Sequence, residues 1–309
     1  MLDYDAIIIG GGPAGLTAGL YLSRGRCRTL LIDNDGFGGS VKNAEWIENY
    51  PGFSTGVTGA QLASEMMAQA LNSGLQMEMA EVSEIESYSE SRCVQLIDGR
   101  HFTAEALIIA SGCHPKKLNI PGEHELFGKG IIECALCDGD QFQGKTVAVC
   151  GGGDRGITEA VYLTKFASKV YLIEVEAEIS ASVVLQEKAR SNDKLELRCG
   201  AKVSAISGND RVEAVEIQDT VTQEKESLRV DGVLIDVGIE PNAGFLKNLL
   251  SVDGQGRILV NEMMQTSLPY IFAAGDIRSN SPAQVVTAVG DGATAAICVQ
   301  NLLHQQSNR

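Results

Sequence analysis

Ala6-Ile7-Ile8-Ile9-Gly10-Gly11-Gly12-Pro13-Ala14-Gly15 lies at the start of the chain, and its reading decides the fold. The short apolar run predicts a buried strand, and Gly10-x-Gly12-x-x-Gly15 predicts the turn after it. Thr17 to Ser23, rich in Ala, Leu and Gly, reads as a helix. Thr29-Leu30-Leu31-Ile32 is a second buried strand, with Asp33 at its end. Strand, glycine turn, helix, strand and terminal acid together form a dinucleotide-binding βαβ fingerprint. The glycines permit a tight turn and close approach of backbone to pyrophosphate. The helix N-terminus faces the phosphates with free N–H groups. Asp33 is placed to accept from a ribose hydroxyl.

The pattern then repeats. Gly151-Gly152-Gly153-Asp154-Arg155-Gly156 follows Gly10 to Gly15 at a separation of 141 residues, and Glu174 follows Asp33 at the same separation. Thr17 and the Tyr21-Leu22 pair recur in step as Thr158 and Tyr162-Leu163. This is an internal repeat of a dinucleotide-binding domain. It implies two dinucleotides, or one site and a vestige. The fold class is α/β, with two Rossmann-like domains.

Turn-rich segments place the boundaries. Ala106 to Ala110 reads as a strand, followed by Ser111-Gly112-Cys113-His114-Pro115. Val233 to Val237 reads as another, followed by Gly238-Ile239-Glu240-Pro241-Asn242. The second domain, 115–241, is therefore inserted in a discontinuous first domain, 1–114 and 242–309. Lys202 to Val230 alternates apolar and polar residues and predicts a small antiparallel hairpin. Ile271 to Ala274 predicts a buried strand ending in Gly275-Asp276. Asp276 is then either a turn residue or an acceptor for the polyol of a flavin. Val285 to Leu303 predicts a long helix interrupted by Gly290 and Gly292.

A length of 309 residues accommodates two domains with separate cores. The formal net charge of −15 opposes nucleic acid and anionic membrane surfaces as partners. The acidic N-terminus Met1-Leu2-Asp3-Tyr4-Asp5 is unlike a signal peptide. No uninterrupted apolar run approaches the ~18 residues of a membrane helix. A cytoplasmic location is the expectation. Of eight cysteines, those at 27, 93, 113, 150, 199 and 298 stand singly and read as small buried hydrophobes.

The remaining two form Cys134-Ala135-Leu136-Cys137, with Asp138 directly after. Zinc is one reading of such a pair. A zinc ribbon needs a second pair or added His ligands, and the four His residues (101, 114, 124, 304) are distant in sequence. No metal site is expected. A redox dithiol fits better, because the short loop holds the sulfurs within bonding reach. Asp138 can supply the proton a leaving thiolate needs.

Taken together, these features resemble the low-molecular-weight thioredoxin reductases, two-domain FAD disulfide reductases. The resemblance rests on Gly10 to Gly15, on Glu48-Asn49-Tyr50-Pro51-Gly52-Phe53, on Ala110-Ser111-Gly112 and on Cys134 to Gly139. It rests further on Gly238 with Pro241-Asn242, and on Ala274-Gly275-Asp276-Ile277. It implies the three-layer ββα FAD/NAD(P)-binding architecture, with FAD in the first domain. The implied FAD contacts are Gly10, Gly12, Pro13, Ala14, Gly15, Asp33, Gly39, Asn49, Ala110, Gly112, Gly275, Asp276 and Gln284. It also implies a homodimer whose domains rotate during turnover. Cys137 would receive electrons beside the flavin, Cys134 would complete the disulfide, and Asp138 would be the acid/base. Thioredoxin is the implied partner.

Two departures bear on the electron donor. Arg155 and Gly156 stand where the family has Ser and Ala. After the second strand, Glu174-Val175-Glu176-Ala177-Glu178-Ile179-Ser180 replaces the family's arginine-rich run. Three carboxylates facing a doubly charged 2′-phosphate should cost a few kcal/mol, about a hundredfold in affinity. NADPH is therefore disfavoured. The departures resemble the pyridine-nucleotide-independent branches of the family, in clostridia and early cyanobacteria, some of which use ferredoxin. NADH is the alternative donor, with Glu174 binding the ribose diol. A flavin-dependent dithiol oxidase and a non-catalytic flavoprotein are the remaining alternatives.

Overall fold

The apolar run before the first glycine turn is a strand, Tyr4–Ile9 (β1), and its side chains alternate between two cores. Ala6 and Ile8 face one layer and Ile7 and Ile9 the other, so both faces are covered and the run is apolar throughout. The computed structural model describes residues 2–44, 46–132 and 134–307. The side chains of Cys137, Gln306 and Ser307 lie outside that description.

The helix after the turn, Pro13–Arg24 (α1), begins at Pro13, four residues before the predicted Thr17. Gly12 is its extended N-cap, and proline at the first helical position has its φ already set. Then come Thr29–Asp33 (β2), Gly59–Asn72 (α2), Gln76–Met79 (β3), Val82–Ser87 (β4), Arg92–Leu96 (β5) and His101–Ile109 (β6). The sheet order is β3-β2-β1-β6-β5-β4. β1 pairs in parallel with β2 and β6. The first half of β6 pairs antiparallel with β5. A short strand, Cys113–Pro115 (β7), leads into the insertion.

The chain divides into two compact units, Met1–His114 with Glu240–Arg309, and Pro115–Ile239. The return crossing lies between Ile239 and Glu240, two residues before the Pro241/Asn242 position predicted.

The second unit contains Ile131–Ile132 (β8), Ala135–Asp138 (α3), Thr146–Cys150 (β9), Asp154–Leu163 (α4), Lys169–Glu174 (β10), Val183–Arg190 (α5) and Leu195–Cys199 (β11). Ala201–Ser207 (β12), Ala214–Asp219 (β13), Lys225–Arg229 (β14) and Gly232–Ile235 (β15) follow. The parallel sheet runs β11-β10-β9-β15-β8. Val147 and Val149 face α4, while Ala148 and Cys150 face the antiparallel strands, repeating the alternation of β1. The predicted hairpin is a three-stranded meander, β12-β13-β14. The unpredicted turn closes at Asp219, whose carboxylate accepts from the Val221 and Thr222 N–H groups, while Gln223 takes a φ of 63°.

The chain returns through Ile239–Pro241 (β16) to Ile271–Ala273 (β17), which pairs in parallel with the second half of β6. The last element is Val285–Ser307 (α6). Gly290 and Gly292 do not interrupt it. Gly292 instead lets α6 press against α1, since a Cβ there would lie 2.2 Å from the Ala14 carbonyl oxygen. By length and composition, Val285–Gln305 meets the requirement for a membrane-crossing helix, with a mean hydropathy of 1.2. Gly290, Asp291 and Gly292 break its apolar run, so the helix is not an uninterrupted apolar stretch. In the fold, Ala295, Ala296, Val299 and Leu303 pack in the first core with Leu16, Ala18 and Leu22 of α1. Each unit is thus a three-layer ββα sandwich of antiparallel strands, parallel sheet and helices.

Candidate functional site

The C-terminal edge of the first parallel sheet gathers most of the residues expected to hold a cofactor. β1, β2, β6 and β17 are parallel, so Gly10, Asp33, Ala110 and Gly275 all emerge on one edge. Gly10 has a φ of 108°, and a Cβ on it would lie 2.3 Å from the Ala110 carbonyl oxygen. A Cβ on Gly15 would lie 1.9 Å from the Gly10 oxygen. Both glycines are therefore demanded by the fold. At Gly12 the space is open, with only the Gly39 Cα at 3.8 Å among described atoms. Pro13-Ala14-Gly15, the first turn of α1, carries no carboxylate. Open space in front of uncapped helix N–H groups fits a pyrophosphate.

The carboxylate of Asp33 also holds the turn. Its oxygens accept from the Gly11 N–H at 2.5 Å and the Asp35 N–H at 2.8 Å. Gly275 approaches Ala14, with a Cβ–Cβ separation of 3.0 Å if it carried a methyl, and its φ is 79°. Asp276 accepts from the Ser281 hydroxyl at 3.0 Å. Burial raises its carboxyl above the ordinary value, with the Ser281 hydrogen bond opposing. The Asn49 side chain donates to that of Gln284 at 3.0 Å, joining two of the expected contacts. Gly112, with a φ of 63°, follows Ala110 along the edge, just before β7.

The second turn has the same backbone geometry. Gly151 has a φ of 113°, and a Cβ on it would lie 2.0 Å from the Asp236 carbonyl oxygen. On Gly156 it would lie 2.1 Å from the Gly151 oxygen. On Gly153 it would meet no described atom within 4 Å. Glu174 mirrors Asp33, accepting from the Gly152 N–H at 2.5 Å and the Glu176 N–H at 3.0 Å. The acidic segment after it is laced to the turn. The Ser180 N–H donates to the Gly152 carbonyl at 3.1 Å, and the Ser182 N–H to the Asp154 carboxylate at 2.5 Å.

The electrostatics of the two turns differ. The second brings Asp154 into the first turn of α4 and Asp236 beneath the glycines. Asp236 is 9% exposed, and burial raises its carboxyl above the ordinary value while Arg155 pulls the other way. The Arg155 Nε lies 3.5 Å from Asp236 Oδ2.

The cysteine motif lies in this second unit, on the short helix α3. Cys134 precedes the helix, is partly buried and is disulfide-bonded. The Cys137 side chain lies outside the described residues. The Asp138 N–H donates to the Cys134 carbonyl at 3.2 Å, and the Asp138 side chain is partly exposed. Ala135, fully buried, donates its N–H to Glu159 of α4 at 2.6 Å, anchoring the motif to the helix behind the second turn. Cys27, Cys93, Cys113, Cys150, Cys199 and Cys298 are free thiols. Burial pushes Cys113 up to about 11 and Cys150 up to about 12, so neither ionises readily. Of the six expected to be buried, Cys150 and Cys298 are, Cys27, Cys93 and Cys113 are only partly buried, and Cys199 is exposed. Among the described residues no group of His, Cys, Asp and Glu could hold a metal ion.

Sequence reasoning missed Glu159, Asp236 and Asp291. Asp291, on α6, accepts from the Gly275 N–H at 3.1 Å and from Arg278 at 2.6 and 2.9 Å. The available signal was an acid inside an apolar run. Asp236 stands between Ile235 and Val237, and Asp291 interrupts the apolar last helix. A buried charge is retained only with a partner, so each implies one. Glu159 carried no such signal.

Paired glycine turns on two nested ββα units, one bearing a disulfide-bonded cysteine before an acid, define a disulfide oxidoreductase. The family model for pyridine nucleotide-disulphide oxidoreductase matches residues 4–292, and the chain belongs to that family. Within it the chain is a homologue of the thioredoxin reductases of low molecular weight. It is 41% identical over 303 residues to the thioredoxin reductase of Bacillus subtilis (strain 168), covering 98% of this chain and 95% of that protein. The crystal structure of Lactococcus lactis thioredoxin reductase (FR conformation) matches with a TM-score of 0.95 at 34% identity, covering 98% of this chain and 100% of that one. A ferredoxin-flavin thioredoxin reductase from Clostridium acetobutylicum matches with a TM-score of 0.54 at 28% identity, covering 98% of each chain.

Proposed function

We propose that the protein reduces the disulfide of a thioredoxin, using FAD held at the first turn and the dithiol of Cys134 and Cys137, with a donor other than NADPH. The first-turn edge fits FAD: Gly12 opens on space, the N-terminus of α1 is uncapped, and Asp276 is a partly buried acceptor. Gly10, Gly12, Pro13, Ala14, Gly15, Asp33, Gly39, Asn49, Ala110, Gly112, Gly275, Asp276 and Gln284 would hold it. Bound FAD supplies an acceptor for electrons from the donor and a two-electron reductant for a disulfide.

The rest falls to the chain's own residues. In the reduced protein one thiolate of the pair attacks a thioredoxin sulfur and forms a mixed disulfide. The second thiolate displaces it, re-forming the Cys134–Cys137 bond and releasing dithiol thioredoxin. Two electrons and two protons pass to thioredoxin. Asp138, adjacent in sequence to Cys137, moves a proton to or from the sulfurs.

The observation that carries this reading is the placement of disulfide-bonded Cys134 at the start of α3, anchored through Ala135 to Glu159 and followed by Asp138. The donor reading rests on the acids after the second strand, Glu174, Glu176 and Glu178, where an NADPH 2′-phosphate would need guanidinium groups. A donor other than a nicotinamide is the leading reading, with a ferredoxin-type carrier as one candidate. NADH is the second reading, favoured by Gly153, whose lack of a side chain nothing in the fold requires.

The test is anaerobic reduction of the purified holoprotein with NADH, NADPH and reduced ferredoxin in turn, followed by titration with oxidised thioredoxin. Flavin bleaching by ferredoxin and reoxidation by thioredoxin are expected. Reduction by micromolar NADPH refutes the donor reading. Thioredoxin reduction that survives Cys137→Ser refutes the dithiol assignment.

A further inference from the structure

The internal repeat allows each position of the second turn to be compared with its counterpart in the first. Gly10 and Gly15 correspond to Gly151 and Gly156, at the separation of 141 residues that also relates Ala14 to Arg155. A Cβ on Gly10 meets the Ala110 carbonyl, and one on Gly151 meets the Asp236 carbonyl, so Ala110 and Asp236 occupy the same place under the glycines. Their N–H groups confirm it. Ala110 donates to Ile9, the last residue of β1, at 2.7 Å, and Asp236 to Cys150, the last residue of β9, at 2.9 Å. Two alanines buried beside the first turn, Ala14 at 4% exposure and Ala110 at 6%, are therefore replaced together in the second by an arginine and an aspartate. The replacements meet: Arg155 Nε is 3.5 Å from Asp236 Oδ2.

The aspartate is poorly satisfied by the protein alone. Its side chain is 6% exposed, and Oδ2 accepts no hydrogen bond among the described residues. Arg155 is the cation facing it, with a side chain 43% exposed at the first turn of α4, where a pyrophosphate would bind. An incoming pyrophosphate meets two obstacles. The guanidinium that could receive it faces the Asp236 carboxylate, with Nε 3.5 Å from Oδ2. Drawing it away would leave a buried carboxylate uncompensated beside two new negative charges. The first turn has neither obstacle, because both of its counterparts are alanine.

We propose that Arg155 and Asp236 are specificity-determining residues that close the second turn to nicotinamide dinucleotides, NADH included, whatever the ribose substituent. The proposal rests on the donor reading above and adds to it a device distinct from the acidic segment Glu174 to Glu178. That segment would act on the ribose end, whereas the ion pair acts on the pyrophosphate. The two effects separate by choice of ligand, since ADP-ribose and NADH carry a pyrophosphate and no 2′-phosphate.

The experiment is calorimetric titration of the FAD-loaded full chain with ADP-ribose and with NADH. It compares the wild type with Asp236→Asn and with the double variant Arg155→Ala/Asp236→Ala, which restores the residues of the first turn. Flavin content and melting temperature serve as folding controls. Asp236→Asn removes the buried carboxylate that faces the guanidinium, and the expected result is at least tenfold tighter binding of both ligands. The double variant removes the buried carboxylate together with its partner and should also bind tighter than the wild type. Arg155→Ala alone leaves the carboxylate unpaired and should bind no better than the wild type. Unchanged affinity in both Asp236→Asn and the double variant, with flavin content intact, overturns the proposal. So does Arg155→Ala binding as tightly as the double variant. Failure of the donor reading shows separately, as reduction of the wild-type flavin by micromolar NADPH, whereas micromolar binding of NADH by the wild type overturns the present proposal alone.

Discussion

Replacing Asp291 with alanine tests the physical account of the first-turn edge most severely. Asp291 is 7% exposed, on a helix otherwise apolar along that face. Its carboxylate receives Arg278 through two hydrogen bonds at 2.6 and 2.9 Å, and the Gly275 N–H at 3.1 Å. The Arg278 side chain is 14% exposed, so its charge is neutralised chiefly by this partner. Asp291→Ala leaves the guanidinium without a counter-charge, with only the Ser279 carbonyl at 3.0 Å as a described partner, and the Gly275 N–H without its acceptor. Removing one partner of a buried pair costs about 3–5 kcal/mol. At about 1.4 kcal/mol per decade, that is two to four orders of magnitude in the folded-to-unfolded ratio. For a unit of this size it lowers the melting temperature by roughly 6–20 °C.

The assay is thermal unfolding followed by circular dichroism, with release of flavin fluorescence as a second readout, because Gly275 sits on the proposed cofactor edge. The control is Asp291→Leu with Arg278→Met. It removes both charges, keeps volume in the core, and should recover most of the loss. If Asp291→Ala melts within 2 °C of the wild type, the pair is not what holds Gly275. A double variant as unstable as the single one would assign the loss to packing and refute the electrostatic argument.

Two further predictions concern packing and pH. Gly292→Ala should destabilise by about 1–3 kcal/mol in chemical denaturation, because its Cβ would lie 2.2 Å from the backbone oxygen of Ala14. Gly290→Ala, two residues earlier with no described atom within 4 Å, should stabilise the same helix by up to ~1 kcal/mol; equal effects at the two sites would refute the close-approach account. Burial pushes the Cys150 thiol up to about 12 from 9.0, so its contribution to stability is complete below the unfolded value and is lost as pH rises toward 12. Native-state labelling at pH 8 should therefore modify exposed Cys199 and spare Cys150, and early labelling of Cys150 in mass spectrometry would show the fold to be looser than described.

Much of this was legible from residue order alone. The strands β1, β2, β9 and β10 are apolar on both faces, and the glycine turns fix the step from strand to helix, so both units could be read from short local patterns. What escaped was set by tertiary contact. Thr220 to Glu224 forms a turn through Asp219 side-chain bonds, which hid the third strand of the meander. Gly290 and Gly292 looked like helix breakers. One of them is instead where α1 and α6 touch, a fact written in neither helix alone. The acids holding the candidate site, Asp33, Glu174 and Asp291, each spend their oxygens on backbone amides or an arginine, and sequence spacing carries no record of a hydrogen-bond partner.

The glycine fingerprint mixes two kinds of constraint, and the structure separates them. Gly151 and Gly156 are required because a Cβ on either would strike backbone about 2 Å away, with or without a ligand. Their presence in the second unit reports the strand–turn–helix geometry and nothing about nucleotide. Gly12 and Gly153 are different, since a Cβ there would enter open space. Only these two positions bear on whether something must come close to the backbone. By that measure the two turns are equal, so glycine spacing does not distinguish an occupied site from a relic. Charge does. Asp33 and Glu174 are matched, but the first turn offers its uncapped N–H groups over two buried alanines, whereas the second adds Asp154 and Asp236 around the same N–H groups, with Arg155 facing Asp236. An anion is drawn to the first arrangement and opposed by the second at equal backbone geometry. On the proposed reading, what each turn admits is set by the side chains beneath and beside it, positions that the fingerprint leaves free.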